Sequence, residues 1–120
     1  MAALPKIEKE LAAAAAKSAQ LEKELGALHK QRTVLETQLT ENKMVEDELK
    51  LLKEGETVFK LVGPTLLKQD SDEVKQNVDH RITHIKKGIE TVEDNIKRSQ
   101  KQMEEVRKTI TELKTKQIKT

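Results

Sequence analysis

His80 and His84 stand four residues apart, the spacing that sets two imidazoles side by side on one helix surface, where they could grip a divalent metal. The helical register described below puts them at outward positions with no third ligand nearby, so no metal site is expected. Arg32, Asn42 and Glu46 are polar where that register wants apolar side chains, and such residues more often fix register or partner choice than do chemistry. No nucleophile–base pair, glycine-rich phosphate loop or clustered carboxylate dyad occurs, and a chain of paired helices should offer no concave pocket. The chain has no cysteine, which removes disulfides and thiolate metal sites. An enzyme is therefore not expected, nor a cofactor, nor dependence on ATP. What remains is the chemistry of adhesion. It is concentrated in "VFKLVGPTLLKQ", Val58 to Gln69, which holds the chain's single aromatic residue, Phe59.

The rest of the chain is lean. Its 120 residues suit one domain, yet 35% hydrophobic and 1% aromatic content is too little for an ordinary globular core. Charged residues make up 37%, with 23 basic against 21 acidic, a balance that argues against a dedicated nucleic-acid binder. No run of about 18 apolar residues exists to cross a membrane, and the start "MAALPKIEKE" reaches a charge at Lys6, too early for a secretory signal. A soluble cytoplasmic protein is expected.

Two long helices must carry the apolar island. In the first arm, expected over 5–54, heptad positions a and d hold Leu4, Ile7, Leu11, Ala14, Ser18, Leu21, Leu25, Leu28, Arg32, Leu35, Leu39, Asn42, Glu46 and Leu49. After Asn42 the stripe should drift toward Val45 and Leu52, and Gly55 should end the arm. In the second, over 71–118, Ile82, Ile89, Ile96, Met103 and Ile110 take a, while Val78, Ile85, Val92, Ser99, Val106 and Leu113 take d. Asp70 followed by Glu73 has the form of a capping box. At ~1.5 Å per residue, each arm would extend roughly 70 Å.

The two registers fit an antiparallel pair folded back near Val62, with Leu11 facing Leu113, Leu21 facing Met103, Arg32 facing Val92 and Leu35 facing Ile89. A parallel homodimer of either arm would show much the same heptads. The island, residues 57–69, reads as one β-hairpin turning at Gly63-Pro64, with Phe59 and Leu61 on one face and Val58, Lys60 and Val62 on the other. A lone hairpin is marginal and leaves its edges unpaired, so it should seek other chains, and several hairpins could close into a barrel. The alternative is a loop whose apolar residues tuck under the end of the coil. The fold class expected is thus mainly α, an antiparallel two-helix coiled coil with a single β-hairpin at the bend.

A heptad arm, the hairpin "VFKLVGPTLLKQ" and the start "NVDHRITHI" of the second arm together resemble the prefoldin family. The single hairpin is similar to its β-type subunits. The resemblance covers nearly the whole chain, but its specific part is residues 58 to 85. It implies a hetero-hexamer of two α-type and four β-type subunits, joined through hairpins into barrels, here by Val58, Phe59, Leu61, Val62, Leu66 and Leu67. It also implies that coiled-coil ends hold unfolded proteins, typically actin and tubulin, and deliver them to the group II chaperonin of the cytosol.

The residues fit that picture from another side. The far end joins the beginning of the first arm to the end of the second, and its seam contains Ala14 and Ser18 beside the run Ala12 to Ala16. Small seam residues bury little area, at ~25 cal/mol per Å², so this end should close weakly and fray. Fraying would free Leu4, Ile7, Leu11, Ile110, Leu113 and Ile118 to contact clients, although a and d residues ordinarily just close a coil. From Lys97 to Thr120 eight basic residues stand against three acidic ones, a surplus that could steer acidic partners or simply solvate the helix. Two rival functions remain: a structural or tethering coiled coil, and an RNA-binding helical arm.

Overall fold

The computed structural model describes residues 3–53 and 56–119. Helix α1 runs Ala3–Lys50, strand β1 Val58–Val62, strand β2 Thr65–Gln69 and helix α2 Ser71–Lys119. The helices are 48 and 49 residues long, and the two strands form one antiparallel sheet between them. The expected helix, hairpin, helix order is what the chain adopts.

Pro5 lies in the first turn of α1, where its missing N–H leaves no intrahelical bond unmade. The helix stops at Lys50 rather than running to 54. Its last turn tightens through i→i−3 bonds, the Leu51 amide donating to Glu48 O at 3.1 Å and the Leu52 amide to Leu49 O at 3.2 Å. Gly55, expected as the terminator, lies outside the described residues. Asp70 caps α2: its Oδ1 accepts from the Asp72 amide at 2.9 Å and the Glu73 amide at 3.3 Å. Asp72 and Glu73 add negative charge where the helix dipole favours it.

The heptad reading of α1 matches its burial. Every a and d position from Leu4 to Leu49 is buried or half-buried, and every other position of the helix is exposed. The anticipated drift after Asn42 does not occur. Glu46 and Leu49 keep the seam while Val45 stays exposed, because the helix ends before a stripe through Val45 and Leu52 could develop. In α2 all a and d positions from Val78 to Leu113 are likewise withdrawn from solvent.

The chain forms two compact units, one of residues 1–32 with 92–120 and the other of residues 33–91. In the first unit the helices are antiparallel. The Ser18 hydroxyl donates to Met103 Sδ at 3.5 Å, and Arg32 pairs with Glu93 at 3.0 Å. Both contacts are within a turn of the expected facing, which put Met103 against Leu21 and Arg32 against Val92. Leu21, fully buried, and Met103, Ile96, Val92 and Leu113 form the apolar seam here.

The second unit holds the hairpin and a core of Leu49, Val78 and Ile82, against which Leu39, Leu52, Val58 and Val74 pack. Leu35 packs beside Gly88, where an added Cβ would stand 3.5 Å from Leu35 Cδ1, an ordinary contact distance. Asn42, a seam residue, donates from Nδ2 to Gln38 O of its own helix at 2.8 Å, so one of its amide hydrogens is bonded locally.

Candidate functional site

The hairpin is the first candidate surface. Pro64 fixes a negative φ, so a tight two-residue turn needs the positive φ on Gly63, which has φ 58°, the pattern of a type II′ turn. That turn sets the register Val58↔Gln69, Phe59↔Lys68, Lys60↔Leu67, Leu61↔Leu66 and Val62↔Thr65. Alternation then sorts the side chains. Phe59, Leu61, Leu66 and Lys68 share one face, and Val58, Lys60, Val62, Leu67, Thr65 and Gln69 share the other.

The faces are unequal. Phe59, Leu61 and Leu66 are 56%, 67% and 63% exposed, an open apolar face of three large side chains. Val62 and Leu67 on the second face are also exposed. Val58 differs: it is half-buried and packs on the Leu49–Val78–Ile82 core, anchoring the first strand to the helices. The alternative of a loop tucked under the coil therefore fails for all but its first apolar residue. Among the described residues the sheet has two strands, so each has an outer edge that no further strand pairs with.

Sequence reasoning missed a groove. An open cavity of about 530 Å³ runs beside the hairpin base, lined by Val45, Glu48, Leu52, Phe59, Val74 and Arg81 among others. The expectation that paired helices offer no concavity thus fails here, because the hairpin folds beside the helices and encloses space with them. Met44 on α1 and Leu51 just past its end are further exposed apolar residues that the heptad reading did not single out.

The second candidate surface lies in the first unit. Ile7 and Leu113 are buried there, and Leu4, Leu11 and Ile110 are half-buried. Ile118 is not with them. The seam passes through half-buried Gln117, and Ile118 is 85% exposed, since one step along the helix turns a side chain by about 100°. Ile118 needs no unzipping to meet a partner.

His80 and His84 are both exposed on α2, and among the described residues no group of three or more His, Cys, Asp or Glu could hold a metal. No described helix is long and apolar enough to cross a membrane.

Residues 12–117, from the alanine run of α1 to the last turn of α2, match a family model described as "Prefoldin subunit". The chain belongs to the prefoldin family. A Drosophila melanogaster protein named "Probable prefoldin subunit 6" is 46% identical over 83 residues, 69% of this chain and 66% of that one. Prefoldin subunit 6 of Mus musculus is 38% identical over 107 residues, covering 89% of this chain and 84% of the mouse protein. Prefoldin subunit 6 of Saccharomyces cerevisiae is 40% identical over 98 residues, 82% and 86% of the two chains. In fold, the chain is similar to the crystal structure of the prefoldin beta subunit from Thermococcus strain KS-1. The TM-score is 0.79 over 86% of this chain and 90% of that one, at 20% identity. Prefoldin subunits are chaperone subunits rather than enzymes, and they form hetero-oligomers with other prefoldin subunits.

Proposed function

We propose that this chain is a β-type subunit of an ATP-independent, hetero-hexameric co-chaperone of the cytosol. Its hairpin joins it to neighbouring prefoldin subunits, and the paired start of α1 and end of α2 hold unfolded proteins of the actin and tubulin kind for delivery to a group II chaperonin. The observation that carries this reading is the hairpin: Phe59, Leu61 and Leu66 exposed together on a sheet with two open edges. A monomer gains nothing from leaving them in water, at ~25 cal/mol per Å² of apolar area, whereas strands from other chains would cover both the face and the edges. Membership of a family of subunits supports the same assembly role.

The capture role rests on chemistry at the other surface. Half-buried Leu4, Leu11 and Ile110 and exposed Ile118 offer apolar contact without a shaped pocket, which suits partners lacking a defined fold.

One pair of variants tests both roles. L61D/L66D is expected to leave the helices intact and abolish association with other prefoldin subunits, read by sedimentation. Removal of residues 1–11 and 114–120 is expected to preserve association and weaken suppression of aggregation of a denatured protein. A tethering coiled coil, the rival reading, predicts instead that L61D/L66D leaves the oligomeric state as it was.

A further inference from the structure

The two helices that meet in the first unit are built from different materials. Between Ala3 and Lys17, α1 carries the run Ala12 to Ala16, of which only Ala14 faces the seam. Alanine is the strongest helix former because it has no rotamer freedom to lose. These alanines loosen the seam, since Ala14 fills little of it, yet they stiffen the helix that carries them. Opposite, the α2 segment 107–119 holds five β-branched residues, Thr109, Ile110, Thr111, Thr115 and Ile118, each restricted at χ1 by the preceding helical turn.

The threonines add a second cost. Their hydroxyls donate to backbone carbonyls four residues back: Thr109 to Glu105 at 3.1 Å, Thr111 to Arg107 at 3.0 Å and Thr115 to Thr111 at 2.9 Å. Such back-bonding bends and slightly weakens a helix. By these propensities, α1 would keep its helix and α2 would give way were the seam to open.

Charge is distributed just as unevenly. Segment 107–119 carries Arg107, Lys108, Lys114, Lys116 and Lys119 against Glu112 alone, while α1 up to Lys17 sets Lys6, Lys9 and Lys17 against Glu8 and Glu10. Opening α2 would spread Ile110, Leu113 and Ile118 along a chain dotted with these cations.

We propose that the last turns of α2, Arg107 to Lys119, open as an adaptable arm for unfolded segments that carry acidic residues between apolar ones, with the first turns of α1 as its rigid support. This rests on the capture role proposed above. It assigns that role chiefly to one helix and states the chemistry that helix prefers.

Hydrogen–deuterium exchange on the full chain, assembled with other prefoldin subunits, tests the opening. Amides of 109–119 are expected to exchange about tenfold faster than those of 7–17. Equal rates, or faster exchange in α1, would overturn the inference.

Binding tests the chemistry, with two unstructured fluorescent peptides identical except that Glu or Lys separates their leucines. The Glu peptide should bind the more tightly, and equal binding of the two overturns the proposal. T109A/T111A/T115A alters only exposed side chains bonded to their own helix. It should slow exchange across 109–119 and weaken Glu-peptide binding, both by a factor of about three or more. Slowed exchange with unchanged affinity rejects the arm. The truncation described above separates the two ideas. If it leaves capture whole, the capture role fails; if it abolishes capture while the threonine variant loses none, only the division of labour between the helices fails.

Discussion

Val58 and Leu61 stand three residues apart in β1 and have different work. Val58 packs on Leu49, Val78 and Ile82, while Leu61 is 67% exposed beside its cross-strand partner Leu66. Val58→Ala should therefore lower stability by about 1 kcal/mol through lost burial, seen as a lower melting temperature. L61D/L66D should leave melting of the isolated chain nearly unchanged while removing association. Leu21 is the most deeply buried large side chain of the seam, and Leu21→Ala is expected to cost about 2–4 kcal/mol by chemical denaturation. Arg32 and Glu93 illustrate the opposite case. Their side chains are 40% and 42% exposed, so solvent screens the pair and it serves to place a cation at the seam's border more than to stabilise it.

At the scale of elements, the hairpin depends on what flanks it, because two strands alone are barely stable in water. Gly63 supplies the turn, Val58 the anchor, and Asp70 starts α2 immediately after β2. Asp70→Ala leaves the Asp72 and Glu73 amides without their carboxylate, at an expected cost of about 1 kcal/mol, measurable by urea denaturation. Gly88→Ala should act the other way. An added Cβ meets Leu35 at ordinary contact distance and α2 loses a flexible residue, for a gain of about 0.5–1 kcal/mol in the same measurement. A loss of stability there would mean that the Gly88 backbone is held in place for a reason other than room for Leu35.

For the molecule as a whole, near-neutral net charge conceals local imbalance: 23 basic and 21 acidic residues overall, but eight against three from Lys97 onward. If that surplus draws acidic clients in, raising salt from about 0.05 to 0.5 M should slow capture severalfold as the screening length shrinks from over 10 Å to under 5 Å, while assembly through the apolar hairpin persists. Capture rates indifferent to salt, read by stopped-flow fluorescence with a denatured protein, would return those lysines to the part of a solvated surface.

The seam was readable in advance because burial in a paired helix follows a period that each residue carries in its position. Leu4 to Leu49 and Val78 to Leu113 needed no coordinates to be found, and Gly63-Pro64 marked the bend because few other residue pairs fit so tight a turn. Period alone could not say that Val58 is an anchor and Leu61 a free surface, or that a groove opens beside Phe59, although the same period carried past Leu113 puts Gln117 rather than Ile118 in the seam. Nor could it send Arg32 to Glu93 or bring Leu35 against Gly88. Those outcomes depend on which side chains from distant parts of the chain reach one another, and a repeat along one strand of sequence holds no record of distances between two.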